Sequence, residues 1–105
     1  MIIARVVKKQ GSYHSFSCRG HAGFDDMGKD IVCAAVSMLV INTANSIEAF
    51  TDNKITGSDR EQISWTFEET PDRDAQLLMD SMLLGLREVV SKYGDDYLRL
   101  IVEEV

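Results

Sequence analysis

Asp30-Ile31-Val32-Cys33-Ala34-Ala35-Val36-Ser37-Met38-Leu39-Val40-Ile41, continued by Asn42-Thr43-Ala44-Asn45-Ser46-Ile47-Glu48-Ala49-Phe50, decides the fold of this chain. No charged residue lies between Ile31 and Ile47, and an apolar run of that length reads as a helix because strands stop sooner. Asp30 suits the N-cap, so the helix is expected from Ile31 to about Phe50 with Cys33 in its first turn. The half from Ile31 to Ile41 is apolar around nearly its whole circumference except at Ser37, and such a helix must be covered on more than one side. Ser37, Asn42, Thr43, Asn45 and Ser46 interrupt the run too often for a membrane span. The reading is a buried helix of a soluble domain, covered by a sheet, a second helix and, in part, a second copy of the chain in a homodimer.

The flanking sequence supplies the cover. Upstream, Ile2 to Lys9 is rich in Ile and Val, Gly11-Ser12 permits a reversal, and Tyr13 to Arg19 follows with Phe16 and Cys18 on one parity, which predicts a β-hairpin. The segment from Gly20 to Lys29, with Gly20, Gly23 and Gly28 and the adjacent acids Asp25 and Asp26, reads as an exposed, mobile loop. Downstream, Asp52 to Asp59 has turn chemistry, with room for one short strand near Lys54 to Gly57. Glu61 to Glu69 then alternates, with Ile63, Trp65 and Phe67 on one face. Thr70 as cap and Pro71 in the first position open a second helix carrying Ala75, Met79, Met82, Leu86, Val89 and Tyr93 at helical spacing, and Gly94 stops it. Tyr97 to Val102 closes the fold as a strand. The expectation is one α+β domain over residues 1–105, of order ββαβαβ, with two helices packed on a mainly antiparallel sheet.

Composition narrows the functional classes. The net charge is −6 over 105 residues with Lys and Arg scattered among acids, which argues against direct nucleic-acid binding; an acidic surface favours encounter with a basic partner or serves solubility alone, and charge does not choose between them. The segment Met1 to Lys9 has no apolar core long enough for a signal peptide, so a cytoplasmic protein is expected. In that reducing compartment Cys18 and Cys33 read as thiols and not as a disulfide.

Chemistry concentrates between Gly20-His21-Ala22 and Cys33. A cysteine in the first turn of a helix meets unpaired N–H groups and partial positive charge that favour a thiolate, and an imidazole one loop away completes a thiolate and general-acid pair. Gly20 and Gly23 permit the tight backbone course that turns the His21 imidazole across the helix start. Asp30 is a helix cap that also stands where it can orient His21, and Ser37 lies one turn beyond Cys33 on the same face. His14 sits in mid-strand and Cys18 reads as core. Together with His21 and Cys33 they supply four zinc-type ligands, but the spacing does not match a zinc finger, and neither a metal nor a cofactor is expected.

Gly20-His21-Ala22, then Gly28, then Asp30 through Ser37 form an unbroken signature that resembles the ribosomal-processing cysteine proteases, the Prp family of Firmicutes and related bacteria. The resemblance extends over most of the chain. It implies a cysteine endopeptidase domain that removes the N-terminal extension of large-subunit ribosomal protein twenty-seven, a step in ribosome assembly. It places the catalytic pair on Cys33 and His21, and implies a homodimer and a loop over residues 22–29 that moves to admit the peptide. Gly20, Ala22, Gly23, Phe24, Asp30, Ala34 and Ser37 are the expected supporting or substrate-binding residues, with Phe24 and Met27 as contacts over an apolar groove. The competing expectation is a non-catalytic module that binds a ribosomal protein or the ribosome surface with Cys33 merely packed.

Overall fold

A computed structural model of the chain describes residues 1–20, 27–58 and 62–105, and for 27–30 the backbone alone. Its elements are β1 (Ile2–Lys9), β2 (Ser12–Arg19), α1 (Met27–Phe50), β3 (Ile55–Ser58), β4 (Ile63–Phe67), α2 (Arg73–Tyr93) and β5 (Leu98–Glu104). The strands form one five-stranded sheet in the order β3-β4-β2-β1-β5. Every pairing is antiparallel except β1 with β5, which is parallel. The expected α+β architecture and its short extra strand, β3, are therefore present.

The hairpin turns one residue earlier than expected. Gln10 and Gly11 have φ of 52° and 80°, and two successive positive φ values make the two-residue turn whose twist matches paired strands. Val7 then faces Ser15 while Lys8 faces Tyr13, so His14 is the extra residue of a β-bulge. The bulge resets the alternation and brings Tyr13, Phe16 and Cys18, all buried, to one face. The Tyr13 hydroxyl donates to Asp80 of α2. Burial first, and the Asp80 carboxylate second, push the Tyr13 phenol pKa well above its ordinary value.

That face carries the core. Ile2, Ala4 and Val6 of β1, Trp65 and Phe67 of β4 and Leu98 of β5 pack with Val32, Val36, Val40 and Ile47 of α1 and with Ala75, Met79, Met82, Leu86 and Val89 of α2. A side chain such as Leu86, with none of its surface exposed, contributes roughly 1.5–3 kcal/mol by leaving water. The helices meet closely at Gly85, where a Cβ would stand 2.7 Å from Leu39 Cδ2. By length and composition the stretch Ile31–Phe50 is apolar enough to cross a membrane, but here its Val32 to Ile47 stripe is the centre of the core.

Both helix starts differ from expectation. α2 begins at Arg73, with Asp72 and not Thr70 as its cap: Asp72 Oδ1 accepts from the Ala75 N–H at 3.0 Å. The Asp72 N–H is itself held by Asn53 Oδ1 at 3.0 Å, a contact from an earlier loop that local sequence does not announce. The Ala75 N–H first, and the Asn53 side chain second, hold the Asp72 carboxyl pKa below its ordinary value. At the other end Gly94 caps as expected, its N–H donating to the Val90 carbonyl at 2.8 Å. α1 begins at Met27, so Asp30 lies inside the helix and is not its N-cap.

Candidate active site

Cys33 is the seventh residue of α1. Only the first four N–H groups of a helix lack intrahelical partners, and the field of the helix end fades within the first turn. The expectation that the helix start activates this thiol is corrected accordingly. What the fold does give Cys33 is position: half-buried on α1, packed against the core cluster that contains Cys18.

The two thiols are neighbours in unlike surroundings. Cys18, on β2, is only 9% exposed. Its pKa is pushed up to about 11, by burial first and by the Cys33 charge second, so it stays a neutral thiol at physiological pH. Neither cysteine is in a disulfide. Cys18 reads as a core residue, as its parity with Phe16 predicts.

Two residues beyond Cys18 the chain leaves β2 at Gly20, with φ of 91°. A Cβ there would lie 2.3 Å from the Met1 carbonyl oxygen, so a side chain is excluded by space as well as by conformation. This gives the glycine before His21 a definite physical reason: the exit of β2 crosses the backbone of β1 at contact distance. Ala34 and Ser37 are exposed on α1, and Ser37 lies one turn from Cys33 on the same side. His21, Ala22, Gly23 and Phe24 lie outside the described residues, as do the side chains of Met27 and Asp30 and the expected movement of the 22–29 loop. His14, at the bulge, is four strand positions from Cys18, roughly 13 Å; the two cannot share a metal ion whose ligand bonds are about 2 Å long.

Sequence reasoning missed the rest of the Cys33 stripe. Ile41, Ala44 and Glu48 follow Cys33 by spacings that keep them on one side of the helix, and together with Ile63 and Trp65 they line a groove. The helical half of that wall was readable from spacing; the opposing half needed the β3–β4 pairing.

This small two-layer α+β fold with a half-buried thiol on its core helix is that of a cysteine protease by its family match: residues 1–98 match the family model described as cysteine protease Prp. The chain belongs to the Prp family, and the alternative of a non-catalytic module is set aside. It is 32% identical over 89 residues to the ribosomal processing cysteine protease Prp of Bacillus subtilis, covering 78% of this chain and 80% of that protein. Among solved structures, a Streptococcus mutans protein superimposes with a TM-score of 0.89 at 28% identity, covering 100% of this chain and 96% of that one. Prp of Staphylococcus aureus, solved with a covalently linked product peptide, gives a TM-score of 0.85 at 26% identity, covering 98% and 100% of the two chains.

Proposed function

We propose that the chain is a cytoplasmic endopeptidase that removes the N-terminal extension of large-subunit ribosomal protein twenty-seven, with Cys33 as nucleophile and His21 as general acid and base. The observation that carries this reading is the placement of Cys33. It sits half-buried on the core helix against the cluster that contains Cys18, near enough to raise that thiol's pKa, and β2 leaves the sheet two residues after Cys18, at the glycine that directly precedes His21. The processing named for the Bacillus subtilis relative and the covalent peptide adduct of the Staphylococcus aureus one support the same chemistry.

In the proposed cycle the Cys33 proton passes to the His21 imidazole and the thiolate attacks the scissile carbonyl. His21 then returns the proton to the departing amine as the C–N bond breaks, leaving a thioester on Cys33. Water gives a proton to His21, attacks the thioester, and the thiolate leaves and is reprotonated. Because Cys33 lies beyond the first turn of α1, the imidazole and not the helix end is assigned the task of activating the thiol. Cys18, held neutral, takes no part.

A homodimer belongs to the same proposal. Ile31 and Met38 of α1 and Leu77 and Leu84 of α2 are 50%, 66%, 63% and 61% exposed, and these large apolar side chains are the surface assigned to the second copy.

Incubating the protein with a synthetic precursor peptide and weighing the products tests the reading. The expected result is one cut that disappears in Cys33→Ala and in His21→Ala and persists in Cys18→Ala. Iodoacetamide labelling of Cys33 is expected to slow about tenfold or more in His21→Ala, since only the thiolate reacts. Cleavage that survives Cys33→Ala would end the proposal.

A further inference from the structure

A groove of about 390 Å³ opens between α1 and the β3–β4 pair, and both of its walls lead back to Cys33. On the helix the wall is Ile41, Ala44 and Glu48. At about 100° per residue these three fall within roughly 80° of Cys33 around the helix axis, with Ser37 on the same stripe between them. On the sheet the wall includes Ile63 and Trp65, and Ile63 is the ladder partner of Cys18, against whose cluster Cys33 packs. The groove is thus a continuation of the thiol's surroundings along the helix.

Its chemistry suits an extended polypeptide with one apolar and one basic side chain. Ile41, Ile63 and Trp65 supply the apolar lining. Glu48 is the charged residue among those lining it, in a chain whose net charge is −6. Ile41 lies about 12 Å and Glu48 about 22 Å along the helix from Cys33. An extended chain covers those distances in about four to seven residues.

We infer that this groove is a remote substrate subsite, which seats an apolar side chain of the precursor against Ile41, Ile63 and Trp65 and a Lys or Arg beside Glu48, about four to seven residues from the scissile bond. The inference rests on the proposed role of Cys33 and adds what that role does not specify: where the substrate is held away from the cut, and by what chemistry. Ala44 is the one small residue of the helical wall, and its size keeps the groove open.

The test compares kcat/KM for a long precursor peptide, with about eight residues on each side of the cut, and a short one with about three. Ala44→Phe fills the groove and the exposed Glu48→Lys reverses its charge without touching the core. Each is expected to lower the long-to-short ratio of kcat/KM about tenfold or more, through KM. Replacing one basic residue of the long peptide by Glu, four to seven residues from the cut, is expected to restore cleavage by Glu48→Lys and to weaken cleavage by the wild type. An unchanged ratio in both variants would overturn the subsite while wild-type cleavage left the protease reading standing. Failure of the wild type to cut either peptide would remove both. A variant that changes the sedimentation coefficient but not the ratio would assign the groove to a second copy of the chain and overturn its role as a subsite.

Discussion

Helices α1 and α2 have 24 and 21 residues and lie on the same face of one sheet, yet they are built differently. α2 buries Ala75, Met79, Met82, Leu86 and Val89 on one stripe, is capped by Asp72 and Gly94, and carries Asp74 in its first turn and Lys92 in its last. Apart from the exposed Leu77 and Leu84, those features are accounted for by folding. α1 buries an equivalent stripe, but Ile31, Met38, Ile41 and Phe50 remain exposed, and its second turn carries a thiol. The residues of α1 exceed what the fold requires of them. That excess is where catalysis and, together with Ile63 and Trp65 of the sheet and Leu77 and Leu84 of α2, substrate holding and self-association are assigned, while the buried stripe of α2 holds α1 in place.

The comparison is broken most decisively at the thiols. Cys33→Ala is expected to lower kcat/KM by at least about a thousandfold with an unchanged circular dichroism spectrum, whereas Cys18→Ala keeps activity and loses stability. Next in size are paired substitutions on the two helices. Leu86→Ala is expected to cost about 2–5 kcal/mol in urea denaturation. Met38→Gln should change monomer stability by no more than about 0.5 kcal/mol and show itself instead as weaker self-association by analytical ultracentrifugation.

A smaller effect belongs to the end of α2. Gly94 has φ of 90° and ψ of 167°, a region that side chains disfavour strongly, so Gly94→Ala is expected to cost about 1–3 kcal/mol. No activity change beyond that stability loss is expected from it in a cleavage assay. The smallest effect is a pH dependence. The Cys18 pKa is raised to about 11, so its contribution to stability is fully present below the unfolded thiol value of about 8.5 and is lost as pH rises toward the folded one. Urea midpoints from pH 7.5 to about 9, below the range where Tyr13 begins to contribute, are expected to fall with pH in the native sequence and to fall less in Cys18→Ala.

The readable parts of the fold were those governed by periodicity. The β1 and β2 pattern, the Ile63-Trp65-Phe67 face, the buried row of α2 and the Gly94 stop depend on residues close in sequence, and each stands where spacing placed it. Helix starts were less readable because capping is settled by competition among nearby groups. Asp72 displaced Thr70 once Asn53, nineteen residues earlier, held its N–H. At α1, Asp30 satisfied the capping rule, but the helix had already begun at Met27, which moved Cys33 out of the first turn and transferred thiol activation to His21 in the proposed mechanism. The bulge at His14 is a similar case: nothing in the alternation demanded it, yet it is what turns Tyr13 inward to Asp80.

By itself the sequence determined that a long apolar helix must be wrapped by strands and a second amphipathic helix, and its Gly20 to Ser37 signature pointed to the family. These follow from burial periodicity and from short-range spacing, which a chain carries in one dimension. Only the tertiary structure decided that Cys18 lies beside Cys33, that Gly20 must lack a side chain because Met1 passes against it, and that the Cys33 stripe of α1 faces Ile63 and Trp65 across a groove. Each of these pairs residues from different elements, and the register of the sheet and the seating of the helix on it set such distances.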